Sequence, residues 1–79
     1  MSSRDDVPLA VLWRLQLNDS RIMCRVYRDG AGLRLCVESP TAVIVQEPFE
    51  IEPRAVARAR LLRETLKRRG WLDDPATGQ

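Results

Sequence analysis

Hydrophobic and polar positions alternate through the first half of the chain. Over residues 9–17, Val11, Trp13, Leu15 and Leu17 stand against Leu12, Arg14 and Gln16, the period of two expected of a half-buried strand. Residues 21–28 repeat it with Ile22, Cys24 and Val26, and residues 33–38 with Leu33, Leu35 and Val37. A fourth segment, AVIVQE at 42–47, opens apolar on successive positions. The connectors Asn18-Asp19-Ser20, Asp29-Gly30-Ala31-Gly32 and Ser39-Pro40-Thr41 are rich in turn formers and short enough to join antiparallel neighbours.

The period changes after Glu52. Ala55, Ala59, Leu62 and Leu66 recur at i, i+4, i+7 and i+11, with Val56 alongside, which lines one face of a helix. Pro53 suits the first helical position, where a missing N–H is harmless. Gly70 suits a left-handed cap, with Trp71 folding back on Leu66 as the cap's apolar contact. The expected fold is therefore α+β: a four-stranded antiparallel β-meander followed by one C-terminal α-helix packed on one sheet face. Residues 9–72 make the single domain, and the head 1–8 and tail 73–79 are expected to be unfolded.

Register decides which side chains share a face. Pairing Leu17 with Ile22, Arg28 with Leu33 and Val37 with Ala42 collects Trp13, Leu15, Cys24, Val26, Leu35 and Ile44 toward the helix. The opposite face then carries Leu12, Arg14, Gln16, Met23, Arg25, Tyr27, Arg34, Cys36, Glu38, Val43 and Val45, which one helix cannot cover. In this register Cys24 and Cys36 point to opposite faces and do not bond, whereas a three-residue second hairpin loop would set them opposite one another. Free thiols suit a reducing cytoplasm.

Charge alters the picture. The net charge is only +2, but residues 54–69 hold seven basic side chains and one acid, leaving six basic and ten acidic residues of the chain's thirteen and eleven. Such segregation points to an anionic partner. Two bland readings compete: twelve of the thirteen cations are Arg, as GC-rich coding alone produces, and the signs at the helix ends complement its dipole. Catalysis finds little support. The chain has no His, no phosphate-binding glycine loop in a strand-to-helix context, and only Cys36, near Arg25 and Arg34, as a conceivable nucleophile. Two lone cysteines without His do not make a zinc site. No segment approaches the roughly 20 apolar residues that span a bilayer, and the start MSSRDDVP lacks a leader's basic and apolar regions, so a cytoplasmic location is expected.

These features lead to a non-enzymatic interaction module without cofactor, metal or small-molecule ligand. The expected partner is a second copy or another protein. The expected contact is the open sheet face or the fourth strand, with Leu12, Met23, Tyr27, Val43 and Val45 forming an apolar patch too large to leave wet. The alternative is nucleic acid, bound by Arg58, Arg60 and Lys67 of the helix or by Arg14, Arg25 and Arg34 around Tyr27 on the sheet. One aromatic ring is fewer than such sheets usually offer, and the helix cations encircle the solvent side and form no stripe. Docking of the basic helix on an acidic protein is the third expectation.

Overall fold

The computed structural model describes residues 8–74. The strands β1 (Ala10–Leu17), β2 (Ser20–Asp29), β3 (Gly32–Glu38) and β4 (Val43–Phe49) follow one another as an antiparallel meander. Then come the helix α1 (Glu52–Arg68) and a two-residue strand β5 (Leu72–Asp73), giving a sheet of order β4-β3-β2-β1-β5. The helix lies across one sheet face, against β1, β3 and β4. The expected α+β meander with a C-terminal helix is the fold observed, with one short strand added.

Two tight hairpins make the centre of the sheet. Leu17 faces Ser20 across the loop Asn18-Asp19, and Asn18 takes the left-handed φ of 56° that its side chain tolerates better than most. Gly30, at φ 62°, opens the loop between Asp29 and Gly32. The second register, Arg28 opposite Leu33, is the expected one. The first is displaced by two residues, Leu17 meeting Ser20 and not Ile22, and a shift by two leaves every side chain on its face. Cys24 therefore pairs with Val37 and Cys36 with Arg25, on opposite faces, and both thiols are free.

Leu15, Cys24, Val26 and Leu35 close the core with Trp13, Ile22 and Val37, against Ala55 and Ala59 of the helix. The two alanines, fully and nearly fully buried, allow the helix backbone close to the sheet. At that approach the Trp13 indole donates a buried hydrogen bond of 2.8 Å from Nε1 to the Ala59 carbonyl. Further along α1, Leu62 and Leu66 are only half-buried against the same cluster. The helix ends as its sequence requires: Gly70, at φ 108°, donates its N–H to Lys67 O at 3.1 Å and Trp71 donates to Leu66 O at 3.1 Å. These two bonds make a Schellman cap, and Trp71 packs against the core beside Leu66.

Two irregularities correct the expected faces. Leu12 is an extra residue in β1 between the pairs Val11–Arg25 and Trp13–Cys24, so it packs against the core and Val11 takes its place outside. In β4 the shift falls between Val37, which faces Val45, and Glu38, which faces Val43. Ile44 is the residue left over, 57% exposed, while Val45 packs against the core. The expectation for Ile44 and Val45 is thus reversed. The cause is the turn at Ser39, whose N–H bonds Ala42 O at 2.8 Å and whose Oγ accepts from the N–H of Ala42 at 3.1 Å, delaying the start of β4.

The first two residues of the expected tail, 73 and 74, are part of the fold. Asp73 lies opposite Leu15, and Asp74, buried, donates its N–H to Arg14 O at 3.1 Å. The remaining head and tail positions, 1–7 and 75–79, lie outside the described residues.

Gly32 tests this frame, because a Cβ there would stand 2.6 Å from the backbone oxygen of Phe49 in β4. Gly32→Ala is expected to lower unfolding stability by about 1–3 kcal/mol through forced separation of β3 and β4. Gly30→Ala, with open space around it and only the left-handed φ to penalise it, is expected to cost about 1–2 kcal/mol. Urea titration followed by circular dichroism measures both.

Candidate interaction surfaces

The face of the sheet away from the helix closes on itself. Arg25 and Tyr27 of β2 stand beside Arg34, Cys36 and Glu38 of β3. The Tyr27 phenol runs past Cys36 and donates to Glu38 Oε2 at 2.9 Å. It also accepts from Arg25 Nη1 at 3.3 Å, and that same nitrogen lies 3.3 Å from Glu38 Oε1. Arg25 Nε donates to Met23 Sδ at 3.0 Å, and the Arg34 guanidinium lies 5.1 Å from the Tyr27 ring centroid. The result is a half-buried ionic network that leaves Tyr27 only 7% and Cys36 only 2% exposed. Burial raises the pKa of the Tyr27 phenol, with Glu38 adding to the effect and Arg25 opposing it.

The expected apolar patch does not assemble there. Leu12 and Val45 face the helix, Tyr27 is buried, Met23 is half-buried beneath Arg25, and Val43 alone of the five is exposed, at 55%. Nor does the face offer a stacking ring, since the Tyr27 ring carries Arg34. On the helix, Arg58 forms a bidentate bridge to Glu47, Nε to Oε1 at 3.1 Å and Nη2 to Oε2 at 3.2 Å. Lys67 and Arg63 both hold Asp73, at 2.8 and 2.7 Å. Of the six nominated cations, Arg25, Arg34, Arg58 and Lys67 are therefore occupied within the fold; Arg14 is half-buried on β1 and Arg60 is exposed.

Among the described residues, four of the seven exposed large apolar side chains lie along the outer edge of β4 and the helix flank above it, while Leu72, the most exposed, sits on β5 at the opposite edge, and Leu9 and Val11 lie at the start of β1. Val43 and Ile44 at the start of the strand, Ile51 at the turn and Leu61 on α1 are each more than half exposed. Among the described residues β4 is the last strand on its side, so its outer N–H and C=O groups have no ladder. The helix runs back along it, and the space between is divided by the Arg58–Glu47 bridge. One groove, of about 790 Å³, has Ile22, Val37, Ile44 and Val45 opposite Leu62, Leu66 and Trp71. The other, of about 1110 Å³, has Leu33, Pro48, Phe49 and Ile51 opposite Arg54, Ala57 and Leu61.

The helix flank was readable in the sequence: Arg54, Arg58, Leu61 and Thr65 repeat the spacing of Ala55, Ala59, Leu62 and Leu66 one position earlier. The exposure of Ile44 was not, because it depends on the bulge. Neither cysteine is placed to act as a nucleophile. Burial pushes the Cys24 thiol up to about 12, and it also raises Cys36 despite the opposing hydrogen bond from Arg34.

Both thiols are expected to stay unreactive toward a disulfide reagent such as DTNB at pH 8 in the folded chain and to react fully in denaturant; reaction of Cys36 in the folded chain would overturn its burial beneath Tyr27. The β5 clamp gives an acid dependence. Hydrogen bonds from Lys67 and then Arg63 hold the Asp73 carboxyl below its ordinary value of 3.8. Its contribution to stability is present above that value and is lost as pH falls through the lower folded one. Asp73→Asn should flatten that part of the stability profile and leave the neutral-pH fold intact, as read by urea midpoints between pH 5 and pH 2.

Compared with known proteins, the chain matches no family model, no curated protein and no solved structure.

Proposed function

We propose that this chain is a non-enzymatic protein-interaction module that takes an extended segment of its partner as an additional strand along the outer edge of β4. The observation that carries the reading is the coincidence of an unpaired edge with exposed apolar side chains on the same border, Val43 and Ile44 on the strand and Leu61 on the helix above. Natural edge strands are usually shortened, charged or covered, and Val43–Phe49 is a seven-residue edge with one acid, which is already neutralised by Arg58. An added strand would satisfy the outer backbone groups and cover the apolar border with alternate side chains.

Pro48 supplies no N–H, so the pairing register lies on the residues before it. The partner strand comes from a second copy or from another protein, and both use the same backbone bonds. The ion-paired sheet face takes no part in this reading, because Arg25, Tyr27 and Glu38 already bond to one another there.

Strand addition has a specific test. A neutral heptapeptide alternating Thr and Val, titrated into isotopically labelled protein, is expected to shift the amide resonances of residues 43–47 first. In an extended peptide, successive N–H groups point to opposite edges, so N-methylation at every second residue blocks one edge only. Of the two methylated isomers, one is expected to bind as the parent does and the other to lose binding. Equal binding by both, or unshifted β4 amides, would remove the proposal. Val43→Lys together with Ile44→Lys, both exposed, should leave the fold intact and weaken the peptide.

A further inference from the structure

Two apolar grooves open on the bare edge, one on each side of the Arg58–Glu47 bridge. In β4, Val45, Glu47 and Phe49 all turn toward the helix, at alternate positions of the strand. Val45 stands at the groove floored by Ile22, Leu62, Leu66 and Trp71, and Phe49 at the groove bounded by Leu33, Ile51 and Leu61. Glu47, between them, reaches Arg58 and divides one groove from the other. Four residues of strand separate the two, about 13 Å at 3.3 Å each.

Charge favours neither sign of occupant. Asp19 lines the first groove with Arg21 and Arg69, and Asp29 and Glu50 line the second with Arg54 and Arg58, Glu52 being exposed beside it. A charged side chain entering either groove meets its own sign as well as the opposite one, and gives up its water for an apolar floor. An uncharged apolar side chain meets neither cost. Volumes of about 790 and 1110 Å³ leave room for the largest of them.

From this arrangement we infer that the strand received by β4 comes from a different protein and carries two large apolar anchors four residues apart, of the size of Phe or Leu, with a small uncharged residue midway between them. The inference rests on the strand-addition reading above and names its partner's chemistry. On an added strand, alternate side chains face the helix, so the residues opposite Val45, Glu47 and Phe49 meet in turn the first groove, the bridge and the second groove. The middle one must be small, because the bidentate bridge, at 3.1 and 3.2 Å, occupies the space above Glu47. The two residues between these three lie on the other face, level with exposed Gln46 and Pro48. A second copy supplies no such anchors. The helix-side residues of its β4, Val45 and Phe49, are packed against its own core, and its Glu47 is bound to its own Arg58.

Three heptapeptides separate the possibilities when titrated into the labelled full chain: Thr-Phe-Thr-Ser-Thr-Phe-Thr, whose two rings share a face; its isomer Thr-Phe-Thr-Ser-Phe-Thr-Thr, whose rings lie on opposite faces; and the neutral Thr and Val peptide. The first is expected to bind about tenfold tighter than its isomer, shifting residues 43–47 together with Leu61, Thr65 and the Trp71 indole N–H. Leu61 lines one groove and Thr65 the other, both exposed on the helix and away from the β4 backbone. Leu61→Ser and Thr65→Glu should each cost the first peptide about threefold and together remove its advantage, while the Thr and Val peptide binds the variants as it binds the parent. If all three peptides bind β4 equally, strand addition stands and the paired anchors are overturned. A tenfold advantage that survives both substitutions also overturns them. If none binds, both readings fail. A dimer in light scattering at about 0.1 mM, dissociated by Val43→Lys with Ile44→Lys, would identify the occupant as a second copy and overturn the inference.

Discussion

The structure depends on the contact between the indole of Trp13 and the helix backbone at Ala59. A 79-residue chain with four aromatic residues has little apolar volume with which to hold a single helix to a sheet, and small domains of this size are marginal. Two alanines at the crossing let the helix approach, and the 2.8 Å bond from Trp13 Nε1 to the Ala59 carbonyl satisfies a donor that burial would otherwise leave costly. One hydrogen bond fixes both where the helix crosses the sheet and which face it presents. Ala55 on the same face is fully buried, and the leucines that follow bridge a wider space.

That crossing leaves the two sides of the helix unequal. On the β1 side the chain returns after the Gly70 cap and covers part of the border with β5, which pairs with Leu15 and Gln16 and is clamped by Arg63 and Lys67 on Asp73. On the β4 side no segment among the described residues returns. A single bidentate bridge, Arg58 to Glu47, joins helix and strand, with apolar grooves on either side of it. The sheet face opposite the helix, the expected place for an apolar contact, is instead covered by its own long polar side chains. Arg34 and Arg25 spread over Tyr27, and their apolar stems cover what a second layer would otherwise cover.

Local chemistry determined much of this protein from its sequence alone. The period of two in three segments, the period of 3.6 after Glu52, the loop residues Asn18 and Gly30, and the Gly70-Trp71 cap each act within a few residues, and each appears in the structure as the sequence implies. Of the two registers that the sequence left open for Cys24 and Cys36, the structure takes the one with a two-residue loop, which sets them on opposite faces. What tertiary structure decided were the features that need two distant segments at once. The extra residues at Leu12 and Ile44 exchange inside for outside, because a bulge is settled by how neighbouring strands fit and an alternating pattern does not mark it. The pairing of Asp73 with β1, the burial of Tyr27 beneath Arg34, and the occupation of Arg58 and Lys67 by carboxylates each join residues far apart in the chain or on separate strands. Composition counts such cations as a surface available to ligands; only their positions in space separate those the fold has neutralised from Arg54 and Arg69, which border an unpaired strand.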